Sequence, residues 1–200
     1  MNNLTDNKEN ILNCALSLFS QKGYEAVSVQ EIVSNAKITK PTLYYYFKSK
    51  EGVYDKLLIK YYTQLNSLIE KVSHYSANPD SYFEDIYPIL VNVTTSYFTF
   101  AKENPLFYRM VLANQYMPKS SSVYEIMKKY HYIQHDLLLK MFYSMGEIHT
   151  NLKNKEQQLS FSYLGIVNTY IALFLSDEVS TLNCEKAKEL VHQFMHGIYA

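Results

Sequence analysis

Between Lys8 and Lys22 the apolar residues Ile11, Leu12, Ala15, Leu16, Leu18 and Phe19 recur at helical spacing, which predicts an amphipathic helix. Gly23 follows, placed to stop that helix in a left-handed turn. Val27-Ser28-Val29-Gln30-Glu31-Ile32 then reads as a helix start. Ser28 is the expected N-cap, Glu31 its capping-box partner, and Val27 with Ile32 the hydrophobic staple. This short second helix is expected to end near Asn35–Ala36. Thr39 can cap a third, with Pro41 in its first turn, where a missing N–H does little harm. Wound at about 100° per residue, the third helix puts Leu43 and Phe47 on one face. Tyr45 falls on the opposite face, flanked by Pro41, Thr42 and Lys48.

Lys48-Ser49-Lys50 interrupts the pattern, and Ser49 can cap a long fourth helix to about His74. Ala77-Asn78-Pro79-Asp80 is a break. Further helices are expected over Ser81–Lys102, from Asn104-Pro105 to about Tyr116, and over Ser122–Ser144. Met117–Ser121 reads as a loop and Gly146–Lys153 as a turn region. The last two helices are expected over Lys155–Leu175 and Asn183–Tyr199. The fold class is therefore all-α, about nine helices. Three short ones form an N-terminal head over residues 1–50, and a long connector leads into a helical body over residues 51–200.

Three helices with a tight turn at Ala36–Thr39 between the second and third describe a helix-turn-helix head. Ile11, Leu16, Phe19, Ile32, Leu43 and Phe47 would be its core. The third helix would then lie in a DNA major groove, held by its neighbours. Tyr45 and Thr42 would meet base edges or thymine methyls, with Pro41 beside them. Tyr44, Tyr46, Ser28 and Thr39 could donate hydroxyls to phosphate. Lys40, Lys48 and Lys50 would neutralise phosphates, which position a head without reading sequence.

Composition narrows this picture. Five Gly and five Pro in 200 residues, with 48% hydrophobic residues, fit long helices and argue against disorder. The formal net charge is zero, so the basic pI usual for nucleic-acid binding is missing and any DNA contact must use a local patch. Lys37, Lys40, Lys48 and Lys50 make one, with no acid between Ala36 and Lys50. Arg109 is the sole arginine in the sequence and lies far from that patch, which excludes bidentate arginine-to-guanine readout by the third helix.

The runs FSQKGYEAVSVQEIVSNA and ITKPTLYYYFKSKEGVYDKL, between about Lys8 and Leu58, resemble the head of the TetR family of transcriptional repressors. The aromatic run ending in Phe47, followed by Lys48-Ser49-Lys50-Glu51, is the most specific part. The resemblance covers roughly the first quarter of the chain. Pro41 stands where the family often has glycine and Tyr46 where it often has histidine, so an operator sequence is not carried over. The resemblance implies a homodimer on a palindromic double-stranded operator, released by a small hydrophobic or aromatic effector bound in the body. It also implies that the last two helices form the dimer interface.

On that footing the dimer candidates are Ile166, Leu173, Phe174, Val191, Phe194, Met195 and Ile198, taken from apolar stripes that could equally be buried within the subunit. Twenty Tyr and ten Phe, crowded at Tyr82, Phe83, Tyr87, Tyr97 and Phe98 and again at Phe100, Phe107 and Tyr108, suggest an aromatic-lined cavity. Its candidate lining is Phe98, Phe107, Tyr108, Arg109, Tyr163 and Tyr170. Arg109 could hold an anion, pair with Glu103 or Asp85, or reach solvent.

The pairs His131/His135 and His192/His196 are each spaced to share a helix face, but no third ligand stands near either. Cys184 precedes the last helix, where the dipole lowers a thiol pKa and neighbouring Glu185 opposes it; Cys14 reads as a small apolar residue. No metal and no cofactor is expected. Gly-rich phosphate loops and nucleophile elbows are missing from the sequence, which argues against an enzyme. The N-terminus lacks a signal-peptide core and no uninterrupted apolar run reaches roughly 18 residues, so a cytoplasmic chain without a membrane partner is expected. The open alternative is a helical co-regulator that uses the same head on another protein.

Overall fold

A computed structural model describes residues 3–77, 82–115 and 117–197. Among the described residues the secondary structure is helical: α1 (Asn3–Lys22), α2 (Val29–Asn35), α3 (Lys40–Phe47), α4 (Lys50–Val72), α5 (Tyr82–Glu103), α6 (Pro105–Asn114), α7 (Tyr124–Ile148), α8 (Glu156–Leu175) and α9 (Cys184–His196). The all-α class and the order of elements are as the pattern predicts. Two compact units divide the chain: Met1–Thr63 with Leu106–Tyr130, and Gln64–Pro105 with His131–Ala200. The head therefore shares its unit with the rest of early α4, with α6 and with the start of α7, whereas the sequence suggests a boundary at residue 50.

In the first unit the sequence rules act locally. Gly23 has φ +78°, and its N–H bonds the Phe19 carbonyl at 3.0 Å, closing α1. Ile11, Leu16, Phe19, Ile32, Leu43 and Phe47 are all buried, as the core pattern requires. Phe19, Tyr24 and Tyr54 add a three-ring cluster with centroids 5.0–5.7 Å apart. Each such pair is worth about 1 kcal/mol beyond its buried area. Residues 106–130 join this unit through more rings and hydrogen bonds. Phe107 stacks on Tyr61 at 4.7 Å, Asn114 Nδ2 donates to Tyr54 OH at 3.1 Å, and Tyr130 OH donates to Asp55 at 3.0 Å.

Lys48, at φ +67°, turns the chain sharply from α3 into α4. Ser49 Oγ then accepts from the Gly52 N–H at 3.1 Å, capping α4 as expected. The turn brings the Phe47 carbonyl so close that a Cβ on Gly52 would lie 1.9 Å from its oxygen. Only glycine fits there.

In the second unit α5 packs along α9 and α8. Phe142, Tyr163 and Phe194 form a ring cluster, with Tyr163 and Phe194 5.4 Å apart. The Tyr163 hydroxyl contacts Thr94 and the Leu90 carbonyl, each at 2.7 Å, and burial pushes its pKa up. α7 runs through Gly146, where the sequence suggests a turn. The reason is tertiary: a Cβ there would meet the buried Glu156 carboxylate at 2.9 Å, so glycine marks a close approach inside a helix. α8 is long and apolar enough to cross a membrane by length and composition, with 33% of the qualifying stretch buried inside the protein. Tyr163, Val167 and Ile171 on it are fully buried, as on a core helix.

Candidate nucleic-acid interface

α2 starts in the capping box that the sequence predicts. The Glu31 N–H donates to Ser28 Oγ at 3.1 Å, and the Ser28 N–H donates to the Glu31 carboxylate at 2.8 Å. Lys22 also bonds Glu31, at 2.9 Å. These contacts, with Lys22 the strongest, hold the Glu31 carboxyl down at about 2. The one acid of α2 is thereby matched by a lysine of α1, and the surface beyond it stays cationic.

The turn into α3 is tight. Ala36 N–H bonds the Ile32 carbonyl at 2.9 Å, Ile38 N–H bonds the Val33 carbonyl at 3.0 Å, and Lys37 takes φ +54°. Thr39 caps α3, with its Oγ1 accepting from Thr42 N–H at 3.4 Å and meeting Thr42 Oγ1 at 2.9 Å. Leu43 and Phe47 face inward and are buried. Tyr45 points away from them and is 71% exposed, and Tyr44 is 44% exposed. Tyr46 is half-buried, its ring edge-on to Tyr45 at 5.1 Å. The result is a rigid helix that shows an aromatic edge to solvent.

Lys37, Lys40, Pro41 and Lys48 are exposed. The three lysines among them pair with no described carboxylate, unlike Lys22, Lys60 and Lys140. Three unpaired cations around an aromatic helix fit a phosphate-walled groove.

The expected roles need two revisions here. Lys50, expected on phosphate, is already engaged within the first unit. Its Nζ donates to the Tyr24 and Val27 carbonyls at 3.0 and 2.8 Å and lies 4.1 Å from the Tyr24 ring centre. It ties the α1–α2 connection to the start of α4. Ser28 is likewise engaged, since its hydroxyl accepts from Glu31 N–H and donates to the Glu31 carboxylate at 3.1 Å.

The six expected pocket residues are divided between the two units. Phe107, Tyr108 and Arg109 belong to the first unit, and Phe98, Tyr163 and Tyr170 to the second. Phe98 and Tyr163 are fully buried in packing, and Arg109 is exposed. Three clefts have other linings. In the second unit a cleft of about 460 Å³ is lined by Glu70, His74, Tyr75, Asp136 and Lys140 among others. A groove of about 510 Å³ runs between α7 and α8, past Tyr132, His135, Leu139, Ser160 and Phe161. The first unit has a cleft of about 620 Å³ between Lys22–Ala26 and the α6–α7 loop.

Among the expected dimer residues, Val191 is buried at 0% exposure inside its own unit, and Phe194 packs on Phe142 and Tyr163. Ile166, Leu173, Phe174 and Met195 are half-buried, and Ile198 lies outside the described residues, as do the side chains of Tyr82 and Phe83 in the aromatic crowd. A different face of α8, with Phe161, Gly165, Thr169 and Ala172, is exposed.

Asp85, suggested as an Arg109 partner, is held in the second unit's interior. His149 Nε2 and Tyr75 OH meet its Oδ2 at 2.5 and 2.6 Å. No local signal marks His149, which lies in a polar turn. Burial pushes the His131 and His135 pKa values down, and no described cluster of three or more His, Cys, Asp or Glu could hold a metal. Cys184 is exposed, and burial raises the pKa of Cys14.

Residues 11–57, the segment that carries this geometry, match the family of bacterial regulatory proteins of the tetR family. Over these residues the head is similar to that of the TetR family. Its relatives include IcaR of Staphylococcus aureus, a negative transcriptional regulator of the biofilm operon icaADBC, 29% identical over 93 residues. That match spans 45% of this chain and 49% of IcaR, so the chain spans about half the length of this relative. The HTH-type transcriptional regulator YuxN of Bacillus subtilis is 50% identical over 52 residues, 26% of this chain and 18% of YuxN. Likeness in fold extends through the body. The structure of the transcriptional regulator FadR from Bacillus subtilis in complex with stearoyl-CoA superposes with a TM-score of 0.73, covering 95% of this chain and 98% of that one at 14% identity. The matched head and the similar folds are those of transcriptional regulators.

Proposed function

We propose that this chain is a TetR-family transcriptional repressor that binds a palindromic operator as a homodimer and lets go when a small molecule occupies its body. The observation that carries this reading is the α3 edge: Tyr45 71% exposed on a helix anchored by buried Leu43 and Phe47 and surrounded by unpaired lysines. An exposed aromatic on a rigid, capped helix costs solvation unless something covers it, and a groove floor of base edges and thymine methyls does so. Thr42 and Tyr45 read sequence, with Pro41 against them. Tyr44, Tyr46 and Thr39 reach phosphate oxygens through their hydroxyls, and Lys40 and Lys48 through their ammonium groups.

Dimerisation uses the half-buried apolar positions of α8, Ile166, Leu173 and Phe174, with Met195 from α9. Two heads in one dimer read half-sites about 34–36 Å apart or a multiple of that. The effector is hydrophobic or aromatic and binds the helical body. It must prefer the head spacing that misfits DNA, and DNA must then weaken the effector equally. An acyl thioester is the first probe to try, being the class bound by the Bacillus subtilis FadR structure.

The test is selection of bound duplexes from a random pool. A palindromic consensus supports the reading. A folded protein that enriches no sequence, yet forms a stable complex with another protein, would favour the co-regulator instead.

A further inference from the structure

Four described non-glycine residues hold a left-handed backbone: Lys37 (φ 54°), Lys48 (67°), Asn154 (66°) and Asp177 (64°). Asparagine and aspartate take that conformation readily, because their short side chains bond locally. Lysine has no such compensation, and glycine would serve the turn with less strain. Strain that persists on the less suitable residue points to a use for its side chain. Both lysines bracket the same helix, Lys37 in the turn before α3 and Lys48 at its C-cap. Both are exposed, and neither pairs with a described carboxylate.

We infer that Lys37, a member of the basic patch with no role of its own in the expected site, is a phosphate-binding residue that grips the DNA backbone opposite Lys48, so that α3 is held at both ends. The inference rests on the reading of α3 as the DNA-facing helix. Eight helical residues span about 12 Å, close to the roughly 12 Å width of the major groove. With such a helix seated in the groove, long side chains just beyond its two ends have the reach to meet the flanking phosphates. A left-handed turn at each end could be made by glycine. Only a long cationic side chain adds a counterion-releasing contact there.

The full chain is titrated with its selected duplex, and with random duplex, across a range of salt. Lys37→Gly should weaken both DNAs alike. It should make the slope of log affinity against log salt shallower by about 0.9 per head. Lys37→Arg should keep the wild-type slope. The glycine variant should melt no lower than wild type, since the turn is relaxed, so lost affinity would not be lost fold. Wild-type affinity and slope in Lys37→Gly would overturn the inference, and so would a lowered melting temperature, which would mark Lys37 as structural. A folded wild type with no salt-dependent duplex binding would instead remove the reading of α3 itself.

Discussion

Lys50 and Tyr45 lie five positions apart and carry opposite expectations. Lys50 is spent on two carbonyls and one ring within the first unit. Lys50→Met should therefore lower stability by about 2 kcal/mol, as losing a charged hydrogen bond does, while leaving the salt dependence of DNA binding unchanged. Chemical denaturation and a salt titration read the two effects separately. Tyr45→Ala should do the reverse, costing discrimination between operator and random duplex with little change in melting. Glu31 adds a pH signature. Its folded pKa of about 2 lies below the ordinary 4.5, so the head is stabilised above pH 4.5 and loses that support as pH falls toward 2. Thermal melts in acid should show a smaller loss in Glu31→Gln than in wild type across that window. The cap at Ser28 was legible because every partner lies within three residues. The Lys50 cradle was not, because its carbonyls stand 26 and 23 residues away in the chain.

At the scale of elements, the α3–α4 corner depends on Gly52, whose missing Cβ leaves room for the Phe47 carbonyl. Gly52→Ala must move backbone, and a severe loss of head stability is expected in a melting experiment. α8 raises a different issue. Its periodicity shows an apolar helix but not which side faces the subunit's own core, and Val191 on α9 shows how a stripe offered to a partner can turn inward. The faces become distinguishable only once α5, α8 and α9 are packed together. Leu173→Glu, on the half-buried side of α8, should shift sedimentation from dimer to monomer without unfolding the chain. An unchanged sedimentation profile would remove α8 from the interface. α7 teaches the same lesson from a glycine: Gly146 looks like punctuation in sequence, yet it lies inside a helix because Glu156 needs the space.

For the whole molecule, zero net charge means that the chain has no general attraction for DNA. On the proposed reading, binding comes from the α3 edge, doubled by the symmetry of a homodimer. The head and its core could be read from sequence because short-range caps and one apolar face define them. The cavities could not, because aromatic richness does not say which rings fill space and which line it, and here Phe98 and Tyr163 fill it. The most direct test of the central claim is the affinity of the full chain for its selected duplex as a function of salt. Two heads, each using two or three lysines on phosphate, predict a log–log slope of roughly −4 to −5, with a palindromic site strongly preferred over random duplex. A salt-independent affinity, or equal affinity for every sequence, would contradict it.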